Sequence, residues 1–162
     1  MTTQFGRLFE VLVTGEIAFV VIGGVALVTQ GGSRATFDLD ICYQRSPQNH
    51  ARLEHALAPY QPRLRGVDPA LPFFFDARSL ASGLNFTLST TLGDLDLLGE
   101  VAGIGSYADA VSDADFVEAF GVSFAVLSLA KLEASKRAAG RPKDLQDLAE
   151  IAALRDHEGG RR

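Results

Sequence analysis

The stretch Phe19-Val20-Val21-Ile22-Gly23-Gly24, followed after thirteen residues by Asp38-Leu39-Asp40-Ile41-Cys42-Tyr43, decides how this chain is read. The first block is a short apolar run closed by two glycines, the pattern of a buried strand that ends in a turn. The second block alternates. Phe37, Leu39, Ile41 and Tyr43 share one face, and Asp38, Asp40 and Cys42 share the other. The apolar face pins that strand into a core, and the two carboxylates leave the opposite face about 6.6 Å apart along the strand. Carboxylates so placed suit shared metal ions, because two-metal phosphoryl-transfer sites hold their cations about 3.5–4 Å apart. Taken alone, Asp-x-Asp reads more simply as a solvated strand face. Gly23 and Gly24 add to it, since bare backbone lets a phosphate approach and a helix starting there presents amide donors at its positive end.

Outward from this core, Gln4 to Gly15 places Phe5, Leu8, Phe9 and Leu12 at helical spacing. A short helix is predicted from the glycine pair to Thr29, ended by Gly31-Gly32. Ser46 and Pro47 open a further helix to Leu57 as N-cap and first residue. Pro59 to Pro72 reads as loop. Phe73 to Phe75 is expected as a short strand edge, followed by a helical turn over Arg78 to Ala81. Leu84 to Thr91 and Asp94 to Glu100 predict a hairpin, as do Phe116 to Ala119 and Val122 to Val126 around Gly121. Helices are predicted over Leu129 to Ala139 and Lys143 to Leu154, separated by Gly140-Arg141-Pro142. Strands with both hairpin and crossover links and helices alongside predict an α/β (α+β) fold with a mixed sheet. Residues 1–156 are expected as a single domain, its core over about 16–126 and a helix pair over about 127–156, with 157–162 a disordered tail.

The chain has 162 residues, enough to bury roughly two-thirds of its unfolded surface. Its apolar run from Ile17 to Val28 falls well short of the about 20 residues a membrane span needs. Cys42 is the one cysteine, so no internal disulfide forms and a reducing, cytoplasmic setting is expected. A net charge of −5 argues against broad nucleic-acid binding, although Lys131, Lys136, Arg137, Arg141 and Lys143 make a local basic patch. Lys136 is i+4 from Leu132 and i+7 from Leu129, which puts it on their inward face. There it either meets an anion or closes the helix end against the carbonyl dipole. His50 and His55 show no metal-ligand spacing and are expected on an exposed helix face.

Ile22-Gly23-Gly24, a spacer, then Asp38-Leu39-Asp40-Ile41 resembles the signature of the DNA polymerase beta-type nucleotidyltransferase superfamily. Gly32 to Thr36 is similar to the approach to the aspartates in small bacterial members, including the nucleotidyltransferase-type toxins of toxin–antitoxin and abortive-infection systems. The resemblance implies a mixed-sheet nucleotidyltransferase core flanked by helices, and a third carboxylate on a neighbouring strand. Asp94-Leu95-Asp96-Leu97-Leu98 offers two on one face, and Asp96 is closest to the motif while Asp94 stays open as the alternative. It further implies that Asp38, Asp40 and Asp96 bind two Mg²⁺ ions (or Mn²⁺) and act as the catalytic set. Gly23, Gly24, Ser33, Arg34 and Lys136 are the implied nucleotide-binding residues. The implied reaction transfers a nucleoside monophosphate from an NTP to an acceptor hydroxyl of an RNA or tRNA end, a small molecule or a protein. The rival expectation is a non-catalytic nucleotide-binding module, or one that docks a protein partner in a toxin–antitoxin pair.

Overall fold

The computed structural model describes residues 2–160. Its framework is a seven-stranded mixed sheet with strand order β3-β4-β5-β2-β1-β9-β8. These strands are β1 (Phe19–Ile22), β2 (Asp38–Tyr43), β3 (Arg63–Leu64), β4 (Asn85–Thr90), β5 (Gly93–Leu98), β8 (Asp115–Ala119) and β9 (Val122–Val126). A separate two-stranded ladder joins β6 (Glu100–Val101) to β7 (Gly105–Ser106). The helices are α1 (Phe5–Thr14), α2 (Gly23–Thr29), α3 (Pro47–Leu57), α4 (Ala77–Ser82), α5 (Tyr107–Val111), α6 (Leu129–Ala139) and α7 (Pro142–Gly160).

The sheet is mixed because hairpins and crossovers alternate. β4–β5 and β8–β9 are antiparallel hairpins, whereas β2 runs parallel to β5 and β1 parallel to β9. β1 and β2 pair antiparallel, with Ile22 opposite Asp40. Central strands are apolar enough to stay dry: β1 is buried throughout, as are Leu39 and Ile41 of β2 and Leu95 and Leu97 of β5. Leu8, Phe9 and Leu12 of α1 and Leu53 and Leu57 of α3 join them in one core. The helix ends follow local chemistry. Ser46 accepts from the Asn49 amide at the start of α3, and Ser128 from the Lys131 amide at the start of α6. Gly140 ends α6 with φ of 63°, the left-handed region.

Three expectations are corrected. Phe73 to Phe75 forms no strand: Phe74 is exposed, and Phe73 and Phe75 only lean on the core. The edge strand is Arg63–Leu64 instead, inside the proline-rich stretch read as loop; those residues hydrogen-bond the free edge of β4, and prolines flank rather than occupy the ladder. The tail expected from His157 is helical through Gly160, since α7 has no stop signal before that residue, and Arg161 and Arg162 lie outside the described residues.

Gly93 closes the two-residue turn between β4 and β5. Its φ is 120°, and an added Cβ would come within 2.5 Å of the Thr3 Cα. Thr3 is fixed there, for its hydroxyl accepts from the Asp94 amide and the Gln4 amide bonds the Leu92 carbonyl. Gly93→Ala is therefore expected to cost at least about 2 kcal/mol and lower the melting temperature by roughly 4–8 °C, read by thermal denaturation.

A candidate metal centre on the sheet face

The in-register parallel pairing of β2 with β5 builds the site. Asp38 pairs with Asp94 and Asp40 with Asp96, so period-2 alternation sends all four carboxylates to one face. Carboxylate oxygens of Asp38, Asp40 and Asp96 lie within 4.8 Å of one another. Asp94 stands at the rim, 37% exposed, and accepts from the Ser89 hydroxyl. The cluster thus contains Asp96 rather than Asp94.

Asp40 is the strained member. Its Oδ1 is shut off from solvent with no hydrogen-bond partner among the described residues. Burial, then the adjacent Asp96 carboxyl and then the charge of Asp38, push its pKa up to about 7, while Lys136 pulls the other way. An unpartnered, buried oxygen among hard oxygen donors is the environment a divalent cation relieves, so the residues fit such an ion. Gly23 makes the crowding sterically feasible. With φ of 67°, it lies directly against the Asp40 carboxylate, where any side chain would collide. Gly24 likewise leaves room for Thr36, 2.8 Å from an added Cβ. The two glycines therefore seat the acidic strand, whatever else they admit.

Sequence reasoning missed Arg65. It follows β3, its amide donates to the Thr87 carbonyl, and its side chain crosses onto the acidic face. Nη2 donates to Asp96 Oδ1 at 2.8 Å and stands 3.8 Å from Asp38, while Nη1 is 3.9 Å from Asp94 and donates to the Leu88 carbonyl. Burial alone would lower the guanidinium pKa, but these three aspartates raise it and keep the charge in place. The clue was period 2: Arg63 and Arg65 alternate around Leu64, hidden between prolines.

The expected nucleotide-binding residues fare unevenly. Lys136 is buried beside Leu129 and Leu132 as its spacing requires, but its anions are Asp147 at 3.1 Å and Asp144 at 3.5 Å, from α7. Arg34 donates to both oxygens of Asp147, and the amide and hydroxyl of Ser33 donate to Glu150. Both residues thus face α7. Asp144 and Asp147, near the start of α7, are the best-buried carboxylates among the described residues, each no more than 1% exposed. Burial pushes Asp144 up, but hydrogen bonds from the side chain and amide of Arg141, with the charge of Lys136, hold it below its ordinary value. His50 is also corrected: it is buried near Tyr43, with burial and then Arg45 lowering its pKa, because α3 presents that position inward.

No protein-family model matches this chain, and no curated protein matches it significantly. Among solved structures it is similar to a candidate nucleotidyltransferase from Thermotoga maritima, with a TM-score of 0.53 and 16% identity over 95% of this chain and 89% of that one. The chain shares the fold of that structure. The likeness reaches the fold and stops short of the toxin subfamily. No helix among the described residues is long and apolar enough to cross a membrane.

Two outcomes follow from the charges. The raised Asp40 pKa means that stability is full below the unfolded value near 4 and is lost as pH rises through about 7. Metal-free wild type is expected to lose melting temperature relative to Asp40→Asn across that window. Lys136→Met leaves Asp144 and Asp147 short of a counter-ion and is expected to cost about 3 kcal/mol in chemical denaturation. Adding Asp147→Asn should return part of that loss, as a double-mutant cycle would show.

Proposed function

We propose that this protein is a Mg²⁺-dependent nucleotidyltransferase that moves a nucleoside monophosphate from an NTP to an acceptor hydroxyl. The observation that carries the reading is the convergence of Asp38, Asp40 and Asp96, with a buried Asp40 oxygen left unpartnered beside the Gly23 turn. On this reading the three carboxylates hold the metal, two Mg²⁺ ions or Mn²⁺ in their place. Bound there, the metal neutralises phosphate charge and stabilises the charge that develops during transfer.

The chain's own residues supply position. Gly23 and Gly24 offer backbone free of side chains for the triphosphate. Asp96, across from Asp40 in the cluster, orients the acceptor hydroxyl and takes its proton as the acceptor oxygen bonds the α-phosphorus. The bond from that phosphorus to the β-phosphate oxygen breaks, and pyrophosphate leaves. Lys136 and Arg34 act behind this arrangement: both pair with Asp147 of α7, and Lys136 supplies the positive charge felt at Asp40. The acceptor is an RNA or tRNA end, a small molecule or a protein, in a cytoplasmic setting.

A second reading has its own support. Lys136, Arg34 and Arg65 are all held by aspartates, which suits a module that binds nucleotide without turnover, alone or docked to a protein partner. Incubation with labelled NTPs, Mg²⁺ and candidate acceptors separates the two. Wild type is expected to label an acceptor, and Asp40→Ala to fall by at least about 100-fold. Equal labelling by both proteins would end the transferase reading, and tight nucleotide binding without product would favour the second.

A further inference from the structure

Arg65 is unusual in where its charge lies. Nη2 is within reach of both Asp96 and Asp38, so the guanidinium sits between the two strands that carry the cluster. Four carboxylates on one face (Asp38, Asp40, Asp94, Asp96) carry more negative charge than one guanidinium balances. The side chain is about 30% exposed, so it is neither locked in the core nor fully screened by water. Its backbone does not move with it easily, because the Arg65 amide is tied to the Thr87 carbonyl. Withdrawal is therefore a side-chain rotation that breaks the bonds to Asp96 and to the Leu88 carbonyl.

We propose that Arg65 is the resident counter-ion of the acidic cluster, which a divalent cation must displace to enter. This rests on the metal-centre reading above. Arg65 satisfies Asp96 and softens the repulsion at Asp38 in the metal-free protein, and it lowers metal affinity by the free energy of those contacts. A divalent ion wins by its higher charge and by reaching Asp40, which Arg65 leaves unpartnered. The residue is thus a threshold on metal occupancy set by the fold.

The test measures Mn²⁺ alone, by paramagnetic resonance of the free ion and by calorimetry, on wild type, Arg65→Ala, Arg65→Lys and Asp40→Asn. Circular dichroism verifies folding. Arg65→Ala should bind Mn²⁺ about fivefold to tenfold tighter than wild type, the scale of a half-exposed charge pair, with Arg65→Lys in between. Without metal, Arg65→Ala should melt lower than wild type, and saturating Mn²⁺ should remove the difference. Binding by Arg65→Ala that equals or falls below that of wild type, with Asp40→Asn impaired, overturns the competition and leaves the metal centre intact. Should Arg65→Ala not fold, Arg65→Lys carries the comparison by the same criterion. Binding unchanged in Asp40→Asn, or absent from every folded variant, overturns the metal centre and this proposal together.

Discussion

Parallel pairing of β2 with β5, with Asp40 opposite Asp96, is the constraint that the rest of the molecule answers. It places like charges on neighbouring strands at the spacing of a sheet, where they repel, and at Asp40 that repulsion adds to burial in raising the pKa. The alternative of turning them outward is closed, because a one-residue slip would drive Leu39, Ile41, Leu95 and Leu97 out of the core. Hydrophobic burial on one face therefore fixes electrostatic strain on the other.

The surroundings compensate in three directions. Gly23 removes the side chain that would collide with Asp40, Arg65 approaches from the sheet edge, and Lys136 contributes its field from α6. None of the three cancels the negative charge. Asp40 keeps an oxygen with no partner, an expensive condition in a protein interior unless an ion or substrate completes it. The same strain underlies the candidate function and the expected loss of stability as pH rises through about 7.

Much of this was legible in sequence because it rests on short-range periodicity. Alternation in Asp38 to Tyr43 gave the strand and its two faces, and Leu129, Leu132 and Lys136 gave the inward lysine. What escaped depends on partners far along the chain. Arg65 reaches Asp96 across 31 positions and Arg34 reaches Asp147 across 113; alternation around Leu64 hints at a strand carrying Arg65, but nothing nearby in sequence names either arginine's partner. The prolines around Arg63 and Leu64 read as loop because propensity cannot show that β4 has a free edge waiting. His50 lies three positions before Leu53 and seven before Leu57, so helical phase does turn it inward; its polar ring, not its position, suggested an exposed face. The choice of Asp96 over Asp94 came from resemblance; register shows that both face the site and only depth separates them.

The clasp between α7 and the approach to β2 has a consequence for substitution. Arg34, Lys136 and Arg141 share two deeply buried aspartates, Asp144 and Asp147, while Ser33 leans on Glu150. Lys136, Asp144 and Asp147 are the buried members, so a change of charge at one of these three is expected to need a compensating change within the set. The approach to the acidic strand and the C-terminal helix, distant in the chain, are thereby coupled through shared charges.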